Sequence, residues 1–153
     1  MQTRLVSSKS VVEEFAATRT LNYENGIKAT PLFSSQEYDR RLSNLRAKME
    51  ERELKVAIFT SMHNIGYFSN FFYCAFGRAY AQVVTAEKNV TISAMVDAGQ
   101  PWRTTVGDNL VYTDWNRDNF LMALKEVIGN DALSSKYVQN GCIRFLTIIA
   151  ASI

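Results

Sequence analysis

Catalytic chemistry in a chain of this size requires a few His, Cys, Asp, Glu or Ser side chains that the fold brings together. The 153 residues include a single histidine, His63, which excludes multi-histidine metal sites and leaves no HExxH pattern. With no evident acid to orient it, His63 is interpreted as structural or pocket-lining. Asp114, Asp118 and Asp131 are scattered, which favours surface or helix-cap positions. The sequence therefore predicts no catalytic residue and no metal site.

Phosphate and thiol chemistry also lack their usual patterns. The glycines are isolated from one another, so neither a P-loop nor a dinucleotide fingerprint can be assembled. Cys74 and Cys142 have no paired spacing and are interpreted as reduced, apolar core residues. We therefore expect no cofactor.

The most unusual segment runs from Tyr67 to Tyr80, where seven of fourteen residues are aromatic and Arg78 is the one cation. A guanidinium group offers a carboxylate two parallel N–H donors, and Phe76 beside it would supply an apolar wall. The alternative is an aromatic cluster in which Arg78 stacks on a ring. The pattern by itself favours this alternative.

A helix is predicted ahead of this segment. Ser34 and Glu37 form a capping-box pattern, in which the hydroxyl and the carboxylate each accept from a backbone N–H, and the helix should run to about Glu53. Apolar residues then recur at helical spacing, and the basic side chains are expected outside. The apolar positions are Tyr38, Leu42, Leu45 and Met49, and the basic ones are Arg40, Arg41 and Lys48.

Short β-prone runs predict the sheet that this helix covers. Residues 56–60 read as a buried strand, 80–85 and 90–96 as a hairpin, and 109–113 as a fourth strand. A second amphipathic helix around Phe120 should end at Gly129. The expected fold class is α/β, a mixed β-sheet flanked by helices. The apolar run 142–149 must either join the sheet or form an aggregation-prone edge.

Composition narrows the class of partner. Seventeen Lys and Arg against fifteen Asp and Glu give a net charge of +2, which is too small for a nucleic-acid footprint. No apolar run approaches the roughly 20 residues that span a bilayer, and the first residues lack the apolar core of a signal peptide. We therefore expect a cytoplasmic protein with neither a nucleic-acid nor a membrane partner.

Several segments together resemble creatinases, which hydrolyse creatine to sarcosine and urea and are related to prolidases and aminopeptidases P. The segments occur in the same order with little gap, and the resemblance covers roughly residues 30 to 128. They are Ala57 to Ile65, Tyr73 to Arg78, Val83 to Thr85, Gly99 to Arg103, Asn109 to Trp115 and Arg117 to Asn119.

The resemblance implies a creatinase N-terminal, ribonuclease H-like domain, with the pita-bread catalytic domain absent from this chain. Creatinases work without a metal, and their catalytic histidine lies in that second domain. In the family's homodimer the N-terminal domain reaches over the partner's active site, where the Phe and Arg of a Phe-Gly-Arg loop contact creatine. Carried onto this sequence, the substrate-binding residues are Phe76 and Arg78. Ala79 departs from the family, where proline commonly follows the arginine.

The resemblance also divides the chain. Residues 1–30 are interpreted as a leader, 31–129 as the creatinase N-terminal domain, and 130–153 as a divergent tail. By itself the chain is expected not to hydrolyse creatine. Two alternatives stay open: a stand-alone dimerisation module without turnover, and the N-terminal domain of an enzyme like aminopeptidase P or prolidase.

Overall fold

The computed structural model describes residues 18–24, 26–72, 77–97, 100–113, 117–129 and 137–140. The strands in these ranges are β1 (Thr20–Asn22), β2 (Val56–Phe59), β3 (Ala81–Thr85), β4 (Asn89–Ala94), β5 (Asp108–Tyr112) and β6 (Tyr137–Asn140). The helices are α1 (Ser35–Glu51), α2 (Met62–Ser69), α3 (Gln100–Thr104) and α4 (Arg117–Ile128), and Met95–Asp97 forms a 3₁₀ turn.

The strands form one mixed sheet in the order β1-β5-β4-β3-β2-β6. The predicted hairpin is confirmed, because β3 and β4 pair antiparallel with Ala81 opposite Ile92. β5 is parallel to β4, and β2 is antiparallel to β3. The predicted α/β class is therefore confirmed.

Helix α1 begins as predicted, since the Ser34 side chain accepts from the backbone N–H of Glu37 at 3.3 Å. Its apolar face is also confirmed, with Tyr38 and Met49 buried. The Glu37 carboxylate accepts hydrogen bonds from Arg40 and Arg41. Hydrogen bonds from Arg40 and then Arg41 lower the pKa of Glu37 to about 2.

The prediction that Arg41 lies outside is wrong, because its side chain is only 7% exposed. Its Nε donates to Glu37 at 2.8 Å and its Nη1 donates to the Tyr67 carbonyl at 2.8 Å. The guanidinium carbon lies 4.4 Å from the ring centroid of Phe33 and 4.3 Å from that of Tyr67. The charge is buried because hydrogen bonds and ring faces together replace its hydration.

The two faces of the sheet have different covers. One face packs on α4. This helix ends just before Gly129, as predicted, and Gly129 has a φ of +77°. The other face packs on α1 and α2 through residues such as Phe59 and Val84. Each fully buried side chain of this kind stabilises the fold by about 1.5–3 kcal/mol relative to exposure.

A buried polar network ties β4 to β5. Asn109 Nδ2 donates to the hydroxyls of Thr91 at 3.0 Å and Ser93 at 3.2 Å. A slip in register would leave these buried groups without partners, which costs more than the bonds contribute when made. The network therefore fixes the register of β4 against β5.

Elements outside the prediction are β1, β6, α2 and α3. β1 belongs to the predicted leader, residues 1–30, and pairs antiparallel with β5. β6 belongs to the predicted tail, residues 130–153, and pairs parallel with β2. The domain boundaries at 30 and 129 stay predictions. The apolar run 142–149 lies outside the described residues.

Candidate functional site

One end of the sheet gathers the residues that precede β3 and follow β4. The two strands are antiparallel, so the start of β3 and the end of β4 lie side by side. Arg78 is three residues before β3 and Asp97 is three residues after β4. The parallel strand β5 ends there as well, and in open α/β sheets ligands bind outside such carboxyl ends.

Arg78 and Asp97 form a bidentate ion pair at this end. Arg78 Nε lies 2.9 Å from Asp97 Oδ2, and its Nη2 donates to Oδ1 at 3.0 Å. The two side chains are 17% and 18% exposed, so the pair is largely shielded yet reaches the surface. Two parallel charge-assisted bonds fix the plane of the guanidinium as well as its position.

The main chain beside Arg78 has its own anchor. The Tyr112 hydroxyl donates to the Ala79 carbonyl at 2.7 Å. Tyr112 is buried and packs edge-on against Phe120, with ring centroids 5.9 Å apart. The carbonyl is thus held although proline is missing at position 79.

The sequence-predicted site is described only in part. Arg78 lies at the end of the sheet where β3 begins and β4 ends. Phe76 lies outside the described residues, so their joint role stays a prediction. Some aromatic side chains of this segment contact one another, with Phe68 stacked on Phe59 at 5.0 Å and edge-on to Tyr67 at 4.9 Å. A cation that packs on the Tyr67 ring is Arg41. The alternative in which Arg78 stacks on a ring stays a prediction.

Sequence reasoning missed Asp97. The available signal was the predicted hairpin. In a hairpin, residues at equal numbers of positions before and after the turn lie opposite each other, so residues that precede β3 lie beside residues that follow β4. That count needed the paired register of Ala81 and Ile92, which is known only from the structure.

The remaining candidates do not join this site. His63 is exposed in the first turn of α2, whose cap is Ser61, and Asp118 is exposed in α4. Asp114, Asp131, Cys74 and Cys142 lie outside the described residues. Across the described ranges, no three His, Cys, Asp or Glu side chains are grouped so as to hold a metal ion. The helices in those ranges are too short or too polar to cross a membrane.

Two open cavities lie away from Arg78. One has a volume of about 380 Å³ and is lined by Trp102, Asp108 and Glu126 among others. Near it, burial lowers the pKa of Lys28, whose ammonium lies 4.8 Å from the Trp102 ring centroid. Lys28 Nζ donates to the carbonyls of Thr105 and Gly107, so its role is to tie the chain before α1 to the segment before β5. The other cavity, of about 840 Å³, lies between α1, the β3–β4 turn and the end of α4.

Comparison with known proteins identifies the family. Residues 41–135 match the profile of the creatinase/prolidase N-terminal domain. The chain is 49% identical over 118 residues to a creatinase from Bacillus sp. (strain B-0618). The chain belongs to the creatinase/prolidase N-terminal domain family.

The fold similarity extends to peptidases. A proline dipeptidase from Streptococcus pneumoniae matches with a TM-score of 0.56 at 17% identity, over 65% of this chain and 72% of that one. An Xaa-Pro aminopeptidase from Streptococcus pyogenes matches with a TM-score of 0.51 at 20% identity, over 64% and 70%. Identities this low establish a common fold.

The match to the Bacillus creatinase covers 76% of this chain but 29% of that protein. The chain thus spans less than a third of the curated relative that it matches.

Proposed function

We propose that the chain is the N-terminal domain of a creatinase-like amidinohydrolase and supplies Arg78 to the carboxylate of creatine in the partner subunit's active site. The observation that carries the proposal is a guanidinium held in a fixed plane at the surface end of the sheet, in a chain 49% identical to a creatinase.

The chemistry of creatine fits this role. Its carboxylate matches the spacing of parallel N–H donors on a guanidinium, and its flat methylguanidinium group suits an aromatic wall such as Phe76. The general base and the acids that bind the guanidinium would come from a catalytic domain outside these 153 residues. The chain by itself should therefore release no urea from creatine. A cytoplasmic location stays a prediction.

The degree of identity favours creatinase over the peptidases. Identity to the Bacillus creatinase is 49%, against 20% and 17% for the aminopeptidase and the dipeptidase. The peptidase alternative is favoured by fold similarity alone, which does not carry substrate choice.

A stand-alone dimerisation module is the second candidate, and exposed apolar side chains favour it. Leu32 is 70% exposed, Val96 is 63% exposed and Phe72 is 58% exposed. Side chains of this kind are found at interfaces between subunits. Size-exclusion chromatography of the chain, with and without a full-length creatinase, measures whether it forms mixed dimers.

Kinetics of a hybrid enzyme test the proposed role of Arg78. In the hybrid, residues 31–129 of this chain replace the corresponding part of the Bacillus creatinase. Arg78→Ala should raise KM for creatine about 10- to 150-fold, because a charge-assisted bidentate contact is worth about 1.5–3 kcal/mol. Arg78→Lys should fall between, since a point charge lacks the fork.

Arg52→Ala is the matched control, because Arg52 is exposed and lies at the opposite end of the sheet, before β2. It should leave KM unchanged. A folded Arg78→Ala hybrid with wild-type KM would remove Arg78 from the substrate site.

A further inference from the structure

We propose that Asp97 is the positioning residue for Arg78: it holds the guanidinium in the orientation that accepts a substrate carboxylate. This inference rests on the proposed function and adds to it a second residue, from the 3₁₀ turn that follows β4. Asp97 itself need not touch the substrate.

The geometry of the pair supports this division of roles. A guanidinium carries five N–H donors, on Nε, Nη1 and Nη2. Asp97 accepts from Nε and Nη2, which form the side edge of the fork. The end edge, formed by Nη1 and the second Nη2 proton, points along the side-chain axis and is the edge suited to a second carboxylate. One arginine can thus be held by one carboxylate and bind another.

The setting of the pair explains why Arg78 requires such support. Arginine has several rotatable bonds, and ordering one rotamer-rich side chain at binding weakens affinity. The main chain that carries Arg78 is anchored at the next residue, where the Ala79 carbonyl accepts from the Tyr112 hydroxyl. The carboxylate of Asp97 then fixes the far end of the side chain. Order is supplied before the ligand arrives, so less is lost on binding.

Asp97 has an opposing effect that the test must separate. Its negative charge repels a second carboxylate, and that repulsion is screened because the pair reaches solvent. Asn at this position keeps one oxygen acceptor and removes the charge. If orientation dominates, Asp97→Asn weakens carboxylate binding, whereas if repulsion dominates, it strengthens binding.

The experiment combines two measurements. NMR of the 153-residue chain follows the exchange of the Arg78 Nε–Hε proton with water, and calorimetry measures creatine binding to the hybrid creatinase described above, with its catalytic domain inactivated. Methylguanidine, which lacks the carboxylate, is the control ligand. In Asp97→Asn the Hε proton should exchange with water more than about tenfold faster, because a charge-assisted bond is lost. The creatine dissociation constant should rise about two- to tenfold, as expected for one side chain that must be ordered on binding.

Asp39→Asn is the matched control, since it removes the same charge from an exposed position on α1. It should change neither readout. The double variant Arg78→Ala/Asp97→Asn should bind creatine no more weakly than Arg78→Ala, because Asp97 acts through Arg78.

The outcomes separate the two claims. Weaker creatine binding together with faster Hε exchange in Asp97→Asn supports the positioning role. Unchanged exchange, or unchanged or tighter binding, in that variant overturns it while Arg78→Ala still weakens creatine binding to the hybrid. If Arg78→Ala leaves creatine binding to the hybrid intact, the proposed substrate contact is refuted and the positioning role falls with it.

Discussion

Replacing Arg41 with alanine should destabilise the domain by about 3 kcal/mol, although a surface position was expected from its residue type. The largest loss is the charged hydrogen bond to the backbone carbonyl of Tyr67, which is worth about 1.5–3 kcal/mol. The contacts with the rings of Phe33 and Tyr67 add about 0.5–1 kcal/mol each. The bond to Glu37 contributes least, because that carboxylate is partly exposed and keeps its bonds to Arg40.

Arg40 offers a control within the same turn of helix. It also donates to Glu37, at 2.7 Å, but its side chain is 58% exposed. Arg40→Ala should therefore cost much less than Arg41→Ala, because an exposed ion pair contributes little to stability. Both variants remove one positive charge from the same helix, so the difference between their free energies of unfolding reports the contacts of the buried Arg41 side chain.

Urea unfolding at pH 7 measures both variants, and an unchanged m value would show that the unfolded state is comparable. A loss of about 3 kcal/mol corresponds to a fall in Tm of about 6–12 °C for a chain of this length. Equal, small losses for Arg41→Ala and Arg40→Ala would refute the reasoning, because buried and exposed partners of Glu37 would then be equivalent.

Further substitutions test other parts of the same structure. Because the pKa of Glu37 is about 2 when folded and about 4.5 in its ordinary state, its stabilising effect is complete above pH 4.5 and is lost as the pH falls toward 2; unfolding curves at pH 5 and pH 2 should therefore differ less for Glu37→Gln than for wild type. Gly107→Ala should lower the free energy of unfolding, measured in urea, by more than about 2 kcal/mol, since φ is +99° and the new Cβ would lie 2.5 Å from the Asn89 carbonyl oxygen. Gly77→Ala is the control and should cost about 1–2 kcal/mol, because φ is +74° and no atom lies near the new Cβ. Equal losses for the two variants would exclude the clash. Thr60→Val should leave Tm unchanged or raise it, because the Thr60 hydroxyl is buried without a hydrogen-bond partner among the described residues, and a clear fall in Tm would show that the hydroxyl is bonded.

Periodicity predicted the elements that have a regular apolar face. The spacing of Tyr38, Leu42 and Met49 identified α1, and two β-rich runs around a polar turn identified the hairpin. These patterns succeed because burial of one face dominates the free energy of such elements. Gly129 marked the end of α4 because its positive φ suits glycine.

Short elements lacked such a pattern. Helix α2 has eight residues, too few for a stripe to be distinguished from the aromatic run around it, although Ser61 accepts from Asn64 as an N-cap. β1 has three residues and is stabilised by pairing with β5 across the sequence. Tertiary contacts, rather than local preference, form these elements.

The site illustrates the same limit. Arg78 could be singled out from the sequence because a lone cation in an aromatic segment is unusual. Asp97 could not, since its pairing with Arg78 depends on strand register. The burial of Arg41 could not be predicted either, because the carbonyl that accepts from it belongs to Tyr67, in a distant segment. Charge pairs between distant residues are a property of the fold rather than of local spacing.

Subunit mixing in the hybrid creatinase tests most directly whether Arg78 acts across the dimer. One subunit carries Arg78→Ala with an intact catalytic domain, and the other keeps Arg78 but has its catalytic domain inactivated. If Arg78 reaches the partner's active site, mixed dimers should regain wild-type KM for creatine in the sites of the first subunit, although each parent dimer is impaired. If the mixed dimers keep the raised KM of Arg78→Ala, the contact in trans is contradicted.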